Sequence, residues 1–250
     1  MSKITIDAFP LGMPLYKEVE RKISEAIHLG EWRPGEVIPA EPKLAQRFGV
    51  SMGTLRKAID ELADKGMLIR QQGRGTFVSK HGKDRYLFAF FHVVRQDGYK
   101  EYPQVALIDY AKTKASAEAA RLLGGATGAP LVRLINTLSL DGGNVIVDEI
   151  FLPEAVFPAI TKKHVQERQG TLYQLYQEEF GVTVIRTEER LRAVKADAFK
   201  ANLLGVPIGD PLLQVIRVAR SFRNAAVELR FSYINTAHHE YYAELLGTAR

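Results

Sequence analysis

Ser51, Thr54, Arg56 and Lys57 fall within seven residues, in "SMGTLRK", with Gly53 among them. Hydroxyls donate to phosphate oxygens, an arginine fork pairs with a guanine edge and a lysine neutralises phosphate, so these side chains at this spacing suit a nucleic acid. The glycine points the same way. Inside a helix it costs up to about 1 kcal/mol relative to alanine, and beside strong helix formers it marks the close approach of another molecule.

No comparable cluster suits catalysis. The chain has no cysteine, which removes thiolate nucleophiles, thiolate metal sites and disulfides. His28, His81, His92 and His164 are scattered, and His238 and His239 are adjacent beside Glu240, a spacing that rarely converges on one metal. The "RTEERLR" segment suits a strand face of alternating charge better than an acid/base pair. The expectation is a binding protein with no enzyme activity, metal or cofactor.

Helices must present the polar cluster. Leu55, Ile59 and Leu62 recur at helical spacing and should be buried, leaving Met52, Gly53, Arg56 and Lys57 on or near the other side, with Ser51 as the N-cap. A preceding helix runs through "AEPKLAQRF", with Pro42 in its first turn, Leu44, Ala45 and Phe48 inward and Gly49 closing it. An earlier one, "PLYKEVERKISEAIHLGEW", carries Val19, Ile23, Ala26 and Ile27 at the same period and stops at Gly30. Helix, short turn, helix is the arrangement that lays its second helix in the DNA major groove. After it, "GMLIRQQGRGTFVS" predicts two short strands, Leu68–Gln71 and Thr76–Ser79. Their turn contains Gln72, Gly73, Arg74 and Gly75, a wing able to enter a minor groove.

Taken in order, "PLYKEV", "PGEVIPAEPKLAQRFGVSMGTLRKAIDEL" and "KGMLIRQQGRGTFV" resemble the winged helix-turn-helix domain of the GntR family of bacterial transcription regulators. The resemblance implies a DNA-binding domain over residues 12–79. It makes Arg56 the recognition-helix arginine, Ser51 and Thr54 phosphate contacts and Gly73 the wing-tip glycine. Arg70, Gln72, Arg74, Gly75 and Thr76 complete the expected wing contacts. The sequence departs from the family in having Ala40 in place of a serine, and Pro42 and Met52 in place of common arginines. Lys43 and Lys57 are the candidate replacements.

The charge supports this division. Residues 1–85 carry 15 Lys and Arg against 11 Asp and Glu, whereas the remainder is nearly balanced, with 19 against 18. The composition, 46% hydrophobic and 25% charged over 250 residues, is that of a globular protein of one large or two small domains. Neither a signal peptide nor a membrane span is evident, so a cytoplasmic protein is expected. A polar linker at 80–85 leads to an α+β domain at 86–248. In it, strand-like segments such as "LVRLINTLSL" and "AVELRFSYIN" alternate with helical ones, "SAEAARLLG", "TLYQLYQEEFG", "DAFKANLLG" and a tail from His239 to Leu246. Hairpins are predicted at "DGGN" and "FRNA".

This second part repeats itself. "AARLLGGATGAPLVRLINTLSL" matches "KANLLGVPIGDPLLQVIRVARSF", Leu122 answering Leu203 at an offset of 81 residues. Two such copies in one sheet would face each other about a pseudo-dyad with a concave seam between them. The repeat, with "LYQLYQEEFG" and "RTEERL", resembles the UTRA domain, the effector-binding unit of the HutC branch of the same family, and implies a mixed α/β chorismate-lyase-like fold. That fold keeps an enzyme as the alternative, and an architectural DNA-binding protein as a third.

The resemblance also supplies ligand candidates. Arg133 suits a carboxylate or phosphate, Asp148 stands where the family commonly carries a ligand-contacting glutamate, and Glu228, Ser232 and Tyr233 lie on the paired strand. In "FAFFHVVRQDGY", Phe91 and His92 replace the hydroxyls that hold phosphate in sugar-phosphate sensors, and Ile135 replaces a second arginine. The resulting expectation is a homodimeric repressor of double-stranded operator DNA, responsive to a small anionic metabolite and without membrane contact.

Overall fold

The computed structural model describes residues 14–82 and 89–243. Its backbone divides into two compact units, residues 1–80 and 81–250.

The first unit holds α1 (Leu15–His28), α2 (Glu41–Phe48), α3 (Met52–Asp64), β1 (Leu68–Gln71) and β2 (Gly75–Val78). Helix ends follow local chemistry. Ala40 gives α2 no side-chain cap, a deficit typically near 1 kcal/mol, while Gly49 closes it in the left-handed region with φ 64°. Ser51 Oγ accepts a hydrogen bond from the Thr54 amide at 3.2 Å and so starts α3. Ile23, Leu44, Leu55, Ile59 and Leu62 are fully buried, so the inward faces are those the periodicity marks. The wing pairs Leu68 with Val78 and Gln71 with Gly75. Its second strand therefore begins one residue earlier than expected. Gly75 is held there twice over, by φ 115° and by Val37 Cγ2, 3.1 Å from where a β-carbon would stand.

In the second unit, β4 (Gln104–Lys114), α4 (Ala117–Leu123), β5 (Pro130–Leu140) and β6 (Gly143–Pro153) are followed by α5 (Lys162–Glu167) and α6 (Leu172–Phe180). Then β7 (Arg186–Lys195), α7 (Ala198–Leu204), β8 (Pro211–Arg220) and β9 (Ala226–Ile234) repeat the first four. The six long strands form one antiparallel sheet in the order β4-β5-β6-β9-β8-β7. That order reads the same from either edge, so the duplication is structural and the pseudo-dyad passes between β6 and β9. The 81-residue offset carries α4 onto α7, and α4 packs on β9 while α7 packs on β6, each helix covering the other copy's inner strand. Ala119, Ala120 and Leu122 of α4 and Ala201 and Leu204 of α7 bury one face of the sheet. Val165 of α5 and Leu172, Tyr173, Leu175 and Tyr176 of α6 cover the other.

Three expectations change. His239–Tyr241 is not helical: it forms a strand, β10, paired antiparallel with β3 (Val93–Arg95). Its alternation of buried His239, exposed Glu240 and half-buried Tyr241 has the period of a strand; residues 244–246 of the expected helix lie outside the described residues. Val182–Ile185, expected to open a strand, precede β7, which starts at Arg186. Within the expected linker, His81 is buried, its Nε2 2.9 Å from the Val184 carbonyl and its amide donating to Gln177 Oε1 at 2.8 Å. Residues 83–85 lie outside the described residues.

Candidate nucleic-acid interface and ligand cavity

The N-terminal unit presents its polar residues outward. Lys43, Ser51, Gly53, Arg56, Lys57, Arg70, Gln72, Gly73, Arg74 and Gly75 are exposed, and Met52, Thr54 and Thr76 half-buried. Arg56 extends from α3 to Glu41 at the start of α2, Nε to Oε2 2.8 Å, and that carboxylate holds Arg56 more firmly protonated than usual. Glu41 also meets Arg70 of the wing at 3.2 Å, and Arg70 meets Asp60 of α3 at 2.7 Å. Both arginines thus lie extended across the open side of the helix pair. Lys57 is turned aside, its Nζ 4.1 Å from the centre of the Tyr16 ring.

Gly53 has an ordinary helical φ, and a β-carbon there would come no nearer than 3.9 Å to another atom, Ser51 Oγ. Among the described residues nothing requires the glycine. Gly53→Ala is accordingly expected to stabilise the unit by a few tenths to about 1 kcal/mol in thermal unfolding, while weakening DNA binding in a gel-shift titration. Unchanged DNA affinity would show that nothing approaches this helix start.

In the second unit, period-2 alternation sorts the candidates. Val132, Leu134 and Leu138 of β5 and Ile146, Ile150 and Leu152 of β6 belong to the core cluster under α6. Asp148 shares their face by strand parity, and so do Glu228 and Ser232 of β9 with Ile234. Leu131 and Ile135 of β5, and Leu229, Phe231 and Tyr233 of β9, belong instead to the clusters under α4 and α7. The expected ligand set is therefore split. Phe91, His92, Asp148 and Ser232 line one cavity, and Glu228 is wholly buried on the same face. Arg133, Ile135 and Tyr233 point out of the opposite face, because they occupy odd positions of strands whose even positions face the cavity. There Arg133 pairs with Asp109 at 2.8 Å and Glu149 at 3.8 Å, and Tyr233 stacks under the Lys200 ammonium at 4.3 Å.

What the sequence reading missed is Arg230. Only 4% exposed, it donates to Asp148 Oδ2 at 3.0 Å and to both Glu228 oxygens at 3.0 and 3.1 Å. Ser232 Oγ donates to Asp148 Oδ1 at 2.5 Å, and the Tyr173 and Tyr176 hydroxyls donate to Glu228 at 3.3 and 2.7 Å. Burial first, and then the Glu228 carboxylate, hold the Tyr176 hydroxyl protonated well above its ordinary range. The parity that marks Glu228 and Ser232 also marks Arg230 between them. Register makes the bridge a meeting of equivalents: Asn136 pairs with Asp148 in the first copy and Arg217 with Arg230 in the second. Because the repeat maps Asn136 onto Arg217, it maps Asp148 onto Arg230.

The bridge stands between two cavities. One is lined by Phe91, His92, Val215, Arg217 and Tyr241 among others, and burial pushes the His92 imidazole down. The other is lined by Tyr102, Asn136, Arg168, Thr171 and Leu172; Leu138, Asp148 and Arg230 border both. Asn136 is 1% exposed, and its Oδ1 has no hydrogen-bond partner among the described residues. Buried polar atoms are rarely left so. Among the described residues no group of three or more His, Asp or Glu side chains could hold a metal ion, and no helix is long and apolar enough to cross a membrane.

Comparison with known proteins places both units. The family model described as "Bacterial regulatory proteins, gntR family" matches residues 15–78, and that of the UTRA domain matches residues 99–240. The HTH-type transcriptional repressor NagR of Bacillus subtilis is 26% identical over 219 residues, covering 86% of this chain and 88% of the relative. The histidine utilization repressor of Klebsiella aerogenes is 47% identical over 75 residues, 30% of this chain and 31% of the relative. Among solved structures, the ligand-binding domain of a GntR-family regulator from Bordetella bronchiseptica aligns with TM-score 0.59 at 30% identity, over 63% of this chain and 98% of that one.

Proposed function

Because the chain belongs to the GntR family of bacterial regulatory proteins, in the group that carries a UTRA domain, we propose that it is a transcription repressor. Its operator affinity is set by a small metabolite with an anionic group, held beside Asp148 and Arg230. The family and the relatives' names are those of regulators, not enzymes.

One observation carries the DNA side of the reading: the start of α3 is bare. Ser51, Gly53 and Arg56 are exposed, and Gly53 has room for a methyl group that the protein does not use. Backbone amides at a helix start attract phosphate, Ser51 and Thr54 can add hydroxyl donors, and Arg56 can reach a base edge. The wing residues Arg70, Gln72, Gly73, Arg74, Gly75 and Thr76 and the α2 lysine Lys43 flank that helix. Two copies of the chain in the cytoplasm would present two such helices to the half-sites of a roughly palindromic operator. The metabolite changes affinity only by favouring one placement of the heads over another.

Titration of purified protein against its own promoter DNA and a scrambled duplex, at several salt concentrations, tests the reading. Tighter binding to the promoter, weakening steeply with salt, is expected. Equal affinity for both duplexes would favour the architectural alternative and end the case for a repressor.

A further inference from the structure

We infer that Glu41 is a positioning residue for operator recognition: its carboxylate aims the end of the Arg56 guanidinium at a guanine edge and ties that arginine to the wing. This role rests on the operator-binding reading above and adds the group that gives Arg56 its direction.

An acid on this surface calls for an explanation. Glu41 opens α2 and borders the groove between that helix and the wing, beside Pro39, Arg70, Arg74 and Thr76. A carboxylate there repels the phosphates that Arg70 and Arg74 attract. One benefit is local: Ala40 supplies no side-chain cap, and an acidic first turn suits the helix dipole. The hydrogen bonds go further. Glu41 Oε2 accepts from Arg56 Nε of α3 at 2.8 Å, and Oε1 accepts from Arg70 Nη1 of β1 at 3.2 Å. Arg70 Nη2 donates in turn to Asp60 Oδ1 at 2.7 Å. Asp60 stands about one helical turn beyond Arg56 on α3, so the circuit leaves α3, crosses α2 and β1 and returns to α3. A helix-dipole role needs no such division of the carboxylate.

The circuit also leaves the right atoms open. Glu41 engages the Nε of Arg56, whose Nη1 and Nη2 form no hydrogen bond among the described residues, and the Arg56 side chain is 61% exposed. Those two groups are a fork that pairs with guanine O6 and N7. A long exposed arginine otherwise samples many rotamers, and ordering it on binding has an entropic cost that prior anchoring lowers. In water the ion pair is screened and adds little to folding. Under a bound duplex the local dielectric falls and the pair strengthens, so the anchor acts mainly in the complex. A base without acceptors at that edge leaves the desolvated fork unpaired.

The experiment is equilibrium binding of the full-length protein, at fixed salt, to its own promoter, to the promoter with 7-deazaguanine in place of guanine, and to a scrambled duplex. Glu41→Ala should bind the promoter about tenfold more weakly, yet bind scrambled DNA as tightly or up to about threefold more tightly, because a negative charge has gone. Loss of the guanine N7 should weaken the wild type and scarcely affect Glu41→Ala. Glu41→Gln keeps an acceptor for Nε and should recover part of the promoter affinity. In an Arg56→Ala background, Glu41→Ala should cost the promoter complex nothing further. Parallel losses on promoter and scrambled duplex would reduce Glu41 to a group that stabilises α2, and additive losses in the double variant would separate it from Arg56; either overturns the inference. Circular dichroism checks that the head is folded, and if Glu41→Ala unfolds it, Glu41→Gln carries the same cycle with the same outcomes. A wild-type protein that binds promoter and scrambled DNA alike removes the repressor reading, whereas discrimination that the wild type shows and the Glu41 variants keep removes this inference alone.

Discussion

Arg230→Met is expected to cost the second unit about 3–5 kcal/mol, the usual penalty for stripping one partner from a buried ionic network. The side chains are similar in length, so packing is largely kept and the loss is electrostatic. Asp148 and Glu228, 2% and 0% exposed, would stay behind with the Ser232, Tyr173 and Tyr176 hydroxyls to compensate them. Urea titration followed by circular dichroism measures the effect. The control is the triple replacement Asp148→Leu, Glu228→Leu, Arg230→Met, which removes the three charges of the bridge at once. Such apolar substitutions are often neutral or better, so the triple variant should recover most of the loss. A single-variant cost below about 1 kcal/mol would mean that water reaches the bridge and screens it.

The second large effect concerns the DNA-binding head. Arg56→Ala should lower affinity for the promoter by about ten- to a hundredfold while changing affinity for scrambled DNA only slightly, as expected for a bidentate contact to a base. Stability should hardly move, since the side chain is exposed and its ion pair with Glu41 is bathed in solvent. Competition gel shifts at fixed salt separate the two affinities. An equal loss on both duplexes would assign Arg56 to phosphate and shift base reading to Arg70 or the wing.

Much of this architecture is legible in the chain because short-range chemistry governs it. Ser51, Thr171 and Asp197 cap helices through their side chains, and glycines 49, 124, 181 and 205 close them in the left-handed region. The repeat appears at once from Leu122 and Leu203. The ligand set is less legible because its members must share a face, and membership turns on odd or even position along each strand. Arg133 and Tyr233 look suitable by type and fail by parity. Arg230 passes by parity but hides in "VELRFSYI", where a lone arginine among apolar residues resembles an outward-facing charge. β10 escaped because it pairs with Val93–Arg95, more than a hundred residues earlier, and no local pattern records such a partner.

The equivalence of Asp148 and Arg230 about the pseudo-dyad bears on how the chain avoids joining the wrong copy of itself. Two first halves from different molecules could in principle zip together along β6, mimicking the natural seam. That arrangement would set one aspartate against another in a water-poor interior, with no arginine between them. An aspartate facing an arginine satisfies the axis where two aspartates would not, so divergence at this duplicated position favours pairing within one molecule.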